Sequence, residues 1–491
     1  MEELEIFRTF VPEKLKTFKI QEKMKTIYNR IFMLAVALMM SLTSFAQLID
    51  GIYYNLKHDD KRYAEVATSG GEPYSGKITI PSSITYEGVK YPVTGIGNHA
   101  FFNSLVTSVT IPNSVTYIGR YAFQYCSKLT SITIPTSVTS IGDGAFENCE
   151  GLTSIKIPNS VTSMGDGVFK VCQNLSSVTI GSGLTTLPHE TFAQCKALKS
   201  IKIPNNITSI GSYSFMDCDN LKNIEFPNTL NTIEAGVFYR CTSITSLTIP
   251  NTVKEIGEQT FYGCTKLSSI NFSDKLTRIN RWTFIYCESL ASVTLPKTLT
   301  TIDETAFGGC TKLESIIIPN AVTEIAGYAF AGCTGLSSIT KLSRIPQVID
   351  ESVFNQSTYG DLHVLIGCKK AYQEADVWKN FNVIEDVKIT SVMVEDFIDA
   401  IGNVEKTSAC KEKIDAARSA YDALTKEQQV QVKNINILIE AEKTYKKLIG
   451  GSTGITDINS DNDKKDGKYL ENGKIVIVKN GKKFNINGLN E

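Results

Sequence analysis

The sequence predicts a solenoid: one short coil wound repeatedly, with a parallel β-sheet along one side and turns and loops on the convex side. Three observations predict it. One phrase returns every 23 residues from about Gly95 to about Ile345. A phenylalanine recurs at that interval from Phe123 to Phe330, and a cysteine follows each of them three residues later, from Cys126 to Cys333. Each repeat also carries one short alternating strand closed by a proline or its substitute. A fixed period of roughly 20–50 residues marks stacked repeats and outweighs local propensity.

Within one repeat the strand is carried by Leu129, Ile132 and Ile134, with Thr133 pointing away from the core. Pro135 ends it, because proline has no N–H for a continuing ladder. Val138, Ile141, Ala145 and Phe146 supply the rest of the interior. Ile141, Gly142, Asp143 and Gly144 read as turn chemistry, with glycines free to take positive φ. One coil cannot bury these side chains alone. Stacked on a neighbour about 4.8 Å away, it buries them against its own equivalents.

The strand phrase Leu-x-x-Ile-x-Ile-Pro, the phrase Ile-Gly-x-x-Ala-Phe and the following Cys resemble the leucine-rich repeats of the BspA type, a family of bacterial surface proteins. The fold class is then a leucine-rich repeat solenoid, followed by a small three-helix module and a C-terminal β-hairpin. Several repeats depart from the pattern. Gly181 and Ser273 stand where the proline is expected, and Leu187, Pro188 and His189 replace Ile-Gly-Asp. Lys341 falls where an inward Ile belongs. The first coil, near Ala100, Phe101 and Phe102, lacks the Cys and is one residue shorter.

In chain order, residues 1–46 read as an N-terminal extension and a signal peptide. Lys25 and Arg30 precede the apolar run from Ile31 to Met40, and Ser44 and Ala46 are small. That is the pattern of a secretory signal cleaved after Ala46, with Met24 as the natural start and a single membrane anchor as the alternative. No cysteine follows the cleavage point, so no lipid anchor is expected there. Residues 47–94 read as short strands resembling the family's β cap, and 95–345 are the repeats. Residues 346–386 resemble its closing segment: Val353 and Phe354 repeat the pattern one residue late, and Tyr372, Trp378 and Phe381 cover the open core. In 387–449 the period becomes helical, with Ile414, Ala417, Tyr421 and Leu424 on one face. Thr425 and Gln428 form a capping box for the next helix, with Val432, Ile435, Leu438, Ala441, Tyr445 and Leu448 inward. So small a bundle is marginal alone, which suggests docking on the end cap. Residues 450–466 are a linker rich in Gly, Ser, Asn and Asp. Residues 467–491 form a hairpin around Asn480 and Gly481 and resemble the C-terminal sorting regions of Bacteroidetes outer-membrane-secreted proteins.

The composition of the 491-residue chain, 42% hydrophobic and 21% charged, is globular. A formal net charge of −1 gives no reason to expect nucleic acid or an anionic membrane as partner. The four histidines His58, His99, His189 and His363 are scattered. No Gly-x-Ser-x-Gly, His-Glu-x-x-His or phosphate loop is present, so no catalytic residues, no cofactor and no metal are assigned and the chain is not read as an enzyme. The cysteine column is read as buried thiols. Disulfides stay open, because neighbours at strand spacing fall within bonding range, though parallel Cβ vectors oppose them. Metal is a weaker alternative, because the column lacks the Cys-x-x-Cys and His spacing of a zinc site. Asp457, Asn459, Asp461 and Asp463 suggest calcium, but Asn462 and Lys468 fall where an EF-hand loop needs Gly and Glu. The run reads as a solvated linker.

The candidate partner-binding face is the outward side of the strands. Its first places are Ser131 and Thr133, Ser154 and Lys156, Ser177 and Thr179, Ser200 and Lys202, Asn223 and Glu225, Ser246 and Thr248. The face is long, hydroxyl-rich and poor in charge, and Lys156, Lys202 and Glu225 break its monotony. Extended faces of solenoids bind macromolecules, and without a deep pocket or aromatic anchors this one does not suit small molecules or carbohydrate. The resemblance implies an exported or outer-membrane surface protein that adheres to host matrix proteins or other bacteria, with no membrane insertion once the signal is removed. A non-adhesive envelope scaffold is the alternative. Mass spectrometry of the exported chain is expected to find Gln47 at the mature N-terminus, and an intact segment 24–46 refutes the cleavage.

Overall fold

A computed structural model describes residues 46–57, 62–450, 455–457, 467–471, 474–479 and 482–484. The signal-peptide segment up to residue 45, most of the 457–463 run and the Asn480-Gly481 turn lie outside them. The chain divides into two compact units, split after Leu267.

The first unit opens with an antiparallel meander of Gln47–Ile49, Ile52–Lys57 and Tyr63–Val66. Tyr63–Val66 then pairs in parallel with Val89–Ile96. Ser83–Tyr86 folds back on Val89–Ile96 through Glu87 and Gly88, which have φ of 47° and 77°. From there the chain winds as a parallel β-solenoid. Strands of successive repeats pair in register in short parallel sheets, as Ser154–Lys156 on Ser177–Thr179 and Ser200–Lys202 on Asn223–Glu225, and the ladder is interrupted between those pairs.

The repeat contains more regular structure than its sequence pattern suggests. A second parallel ladder runs through Tyr117–Ile118, Ser140–Ile141 and Ser163–Met164, so Ile141 is the end of a strand rather than part of a turn. Gly142 follows it because a Cβ there would stand 2.5 Å from the Arg120 backbone nitrogen, not because it needs positive φ. Gly144 does adopt φ +55°. The outer side is also hydrogen-bonded coil to coil: Tyr121, Phe123 and Tyr125 N–H donate to the carbonyls of Asp143, Ala145 and Glu147 at 2.7–2.9 Å. Two residues per coil flank the phenylalanine in the left-handed region, and many are not glycine, as at Tyr121, Tyr125, Val171 and Tyr213. The next coil fixes these conformations through its hydrogen bonds, which local sequence does not display.

The core of the unit is a column of identical side chains. Phenylalanine rings from Phe101 to Phe261 stack with centroids 4.9–5.8 Å apart and planes within 18°. The cysteine thiols beside them donate to the carbonyl of the phenylalanine in the preceding coil, 26 residues earlier for Cys149 to Phe123 at 3.1 Å and Cys195 to Phe169 at 3.2 Å, and 25 for Cys126 to Phe101 because the first coil is shorter. The twelve cysteines form no disulfide. Burial pushes the thiols of Cys126, Cys172 and Cys264 up to about 12. In the first coil Ser104 occupies the cysteine's place and is buried too.

The second unit continues both ladders within itself. Ser292–Thr294, Ser315–Ile318 and Ser338–Lys341 form one, followed by Asp361–Leu365 and Asn382–Val387. Arg278–Ile279, Thr301–Ile302 and Glu324–Ile325 form the other. Phe354 stacks on Phe330 at 5.6 Å despite the one-residue slip. Trp378 and Phe381 pack edge-on against it, and Tyr372 packs on Trp378, so all three are buried.

The helices Ser391–Asp399, Ser408–Asp422 and Ile435–Gly450 follow. Thr390, Thr407 and Thr425 cap helices with side-chain oxygens. The capping box at Thr425 starts only the one-turn Lys426–Gln429, because Lys433 N–H and the Asn434 amide turn aside to bond Glu395. Leu448, expected inward, is exposed. The bundle lies against the flank of the repeats rather than the end cap: Lys297 pairs with Asp396 at 3.0 Å. Ile455–Asp457, within the stretch read as a linker, is a strand beside Gly467–Glu471. Lys474–Lys479 and Lys482–Phe484 pair antiparallel.

Lys341 is wholly buried between Ile318 and Val364 in the inward column. Its ammonium has one acceptor among the described residues, the Val322 carbonyl at 3.4 Å. Burial depresses its pKa from 10.5 to about 7. Between those two values the unfolded chain holds a proton that the folded chain has released, so stability rises with pH across that window. Below it the cost of the buried charge is present in full. Lys341→Met is expected to stabilise the protein at pH 7 by on the order of 3 kcal/mol and to abolish the rise in urea midpoint between pH 7 and 10. A wild-type midpoint flat across that window contradicts this.

Candidate functional site

The twelve residues assigned to the sheet face lie in the first unit and all are exposed. Strand alternation explains this. Ile155, Ile157, Ile201 and Ile203 are buried, which leaves the places between them in solvent. Register then sets equivalent residues side by side: Ser154 beside Ser177, Lys156 beside Thr179, Ser200 beside Asn223, and Lys202 beside Glu225. The face is a lattice of small hydroxyl groups.

The charges on it differ in kind. Lys202 Nζ lies 3.2 Å from the Glu225 carboxylate, and both side chains are mostly in solvent. Such a pair is worth little to the fold and partly satisfies itself. Lys156 forms no ion pair among the described residues and stands as the isolated cation of this face. In the second unit the same outward places include Ile317, an apolar side chain that is 54% exposed.

The histidines are kept apart. His99 is stacked on Tyr121 at 5.3 Å, and burial lowers its pKa. His189 Nδ1 accepts from Ser212 N–H at 3.1 Å. His363 Nδ1 lies 2.9 Å from Asp386, with Thr340 beside it in register. Among the described residues no hydrogen bond joins Thr340 to the imidazole, so the row is not an activated nucleophile. No group of three or more His, Cys, Asp or Glu among the described residues could hold a metal ion. No helix among them is long and apolar enough to cross a membrane. Outside the sheet face, tyrosines gather in a way the sequence reading missed. Tyr239 and Tyr262 stack on each other at 4.6 Å, and Tyr213 packs against Tyr239. The 23-residue spacing of Tyr239 and Tyr262 was the available signal, but their stacked faces cover each other rather than offering a flat platform.

A cleft in the second unit was also not legible in sequence. It measures about 920 Å³ and lies between the flank of the repeats, residues 343–348 and the first two long helices of the bundle. Thr300, Thr323, Arg344, Gln347, Phe397 and Ala416 are among its walls. It arises because the bundle touches the flank through Lys297 and Asp396 without closing over it.

Comparison with known proteins agrees with the repeat geometry. The BspA-type leucine-rich repeat region matches in overlapping segments over residues 94–208, 185–311, 232–361 and 278–388, more than half of the chain. Among solved structures, a leucine-rich repeat protein from Bacteroides ovatus is 29% identical with a TM-score of 0.50, over 69% of this chain and 100% of that one. A leucine-rich cell surface protein from Faecalibacterium prausnitzii is 26% identical with a TM-score of 0.41, over 70% of this chain and 99% of that one. No curated protein matches the chain.

If the sheet face serves a partner rather than the fold, its charges are dispensable for stability. Lys156→Ala, Lys202→Ala and Glu225→Ala are each expected to shift unfolding free energy by less than about 0.5 kcal/mol. Urea titration checks this, and a larger loss assigns the residue to the fold.

Proposed function

Because the chain belongs to the BspA-type leucine-rich repeat family, we propose that it is an adhesin of the cell surface whose sheet face binds other proteins. Membership implies protein–protein interaction and a surface or secreted location. Adhesion to host matrix proteins or to other bacteria is the finer reading, and export through a signal peptide cleaved near Ala46 goes with it. The carrying observation is the exposed face from Ser131 to Thr248, in which all twelve residues are exposed and eight of them stand side by side in register. Flat faces of this kind bind extended partner surfaces rather than small molecules. Specificity falls to Lys156, Lys202 and Glu225, because charge placement fixes partner choice more than area does. Nothing in the site calls for a cofactor or a catalytic residue. The C-terminal segment 467–491 is assigned to surface sorting, resting on the resemblance alone.

A scaffold of the envelope is the second reading, favoured by the small, repetitive character of the face. Binding of the mature chain to immobilised matrix proteins and to bacterial cells separates the two. Saturable binding is expected, with charge reversal at Lys156, Lys202 and Glu225 together weakening it by at least about tenfold. Absence of binding by the folded chain to every partner in the panel rejects the adhesin reading.

A further inference from the structure

Residues 341–348 interrupt the second ladder of the second unit, beside the cleft. Before them that ladder runs from coil to coil within the unit: Thr323 N–H donates to Thr300 O at 3.0 Å, and Ala326 N–H to Ile302 O at 2.9 Å. The next coil cannot repeat this. The residue 23 places after Thr323 is Pro346, which has no N–H. No strand forms between Ser338–Lys341 and Asp361–Leu365. Among the described residues, no backbone N–H makes the equivalent bond to the Thr323 or Ile325 carbonyl.

Polar side chains with unused hydrogen-bonding capacity gather at the same break. The Gln347 amide has both its oxygen and its nitrogen buried without a partner, and so is the Nη1 of Arg344. Lys341, fully buried a few residues earlier and outside the cleft walls, has the Val322 carbonyl as its acceptor among the described residues. Arg344, Gln347 and Val322 all line the cleft. Its volume of about 920 Å³ falls at the upper end of the usual range for ligand sites. Ile345 and Val348 add exposed apolar surface beside it.

These features specify one kind of occupant. An open strand edge recruits an extended backbone, with main-chain hydrogen bonds giving affinity. A carboxamide with both atoms idle matches a peptide group, donor to acceptor and acceptor to donor. An idle guanidinium matches a carboxylate. The other walls carry both signs, Lys297 and Lys413 with Asp274, Asp396, Asp399 and Glu412, so they call for no strongly charged run beyond the one carboxylate at Arg344.

We propose that this cleft binds an extended peptide segment of a partner protein, whose backbone donates to the Thr323 carbonyl and which places one carboxylate at Arg344. The site is separate from the sheet face and stands or falls independently of it.

The test uses a fluorescently labelled hexapeptide, Val-Thr-Glu-Ile-Ala-Gly with blocked ends, copying residues 322–327 and so offering the N–H groups of one further coil. Titrated into the full chain, it is expected to give saturable anisotropy below about 1 mM. Arg344→Ala is expected to weaken binding about tenfold. Ala416→Trp, which fills the cleft, abolishes it while the urea midpoint stays near wild type. The same peptide N-methylated along its backbone, which requires no change in the protein, also loses binding. Absence of saturation up to that concentration, equal binding of the N-methylated peptide, or indifference to Ala416→Trp overturns the proposal.

Discussion

A coil of this chain can bury its apolar side chains only against its own equivalent in the next coil. That constraint explains why the same residue types recur and why they fit. Identical phenylalanine rings stack in parallel because the backbone repeat sets them one strand spacing apart. The cysteine three residues later is retained by its size and by its thiol proton, which a phenylalanine carbonyl accepts. Each such carbonyl also accepts the backbone N–H of the cysteine in its own coil, as Phe123 does from Cys126 at 3.1 Å, so the thiol of the next coil fills its second lone pair. The column is a hydrogen-bonding device, and the elevated thiol pKa values follow from its dryness rather than from any reactivity.

The same constraint makes the last coil a problem. An open stack exposes a full cross-section of apolar surface. Here Phe354 takes the last place in the stack, and Trp378 and Phe381 turn edge-on to end it. The Trp378 indole and the Tyr372 hydroxyl donate to the carbonyls of Gln347 and Ser343 at 2.9 Å. The cap thereby holds residues 343–347 in place, and that is the segment that fails to continue the second ladder. Closing one sheet and interrupting the other are linked by these two hydrogen bonds.

What was legible in the sequence follows from what a period can encode. The strand, its proline stop, the inward columns and the closing aromatics are each fixed by side-chain identity at one repeat position, so a pattern displays them. The second ladder was missed because its strands are two residues long and depend on the adjacent coil for every bond. The left-handed residues were missed because Tyr121 and Val171 carry no local signature of positive φ. Among the helices, the face of Ile414 and Ala417 was plain, whereas the break before Ile435 depends on Glu395, far away in sequence. On the candidate site, the twelve outward places were readable by alternation alone, but the Lys202–Glu225 pairing needed the register between coils.

Solenoids of this kind carry information where the repeat is broken. A perfect repeat presents the same hydroxyl lattice at every step and cannot favour one partner or one register along its length. Lys156 on the sheet face is a departure of the mildest kind, a single charge that costs the fold almost nothing because it stays in solvent. Lys341, Pro346 and Gln347 are departures of another kind, because they leave a buried ammonium, a missing N–H and an idle amide inside the structure. Groups of that sort are expensive, and an apolar residue at each place would satisfy the stack better. The interrupted ladder and the cleft occur at the same break, and a bound backbone would meet the missing N–H and the idle amide together. That coincidence gives the cleft a more specific chemistry than the exposed sheet can offer.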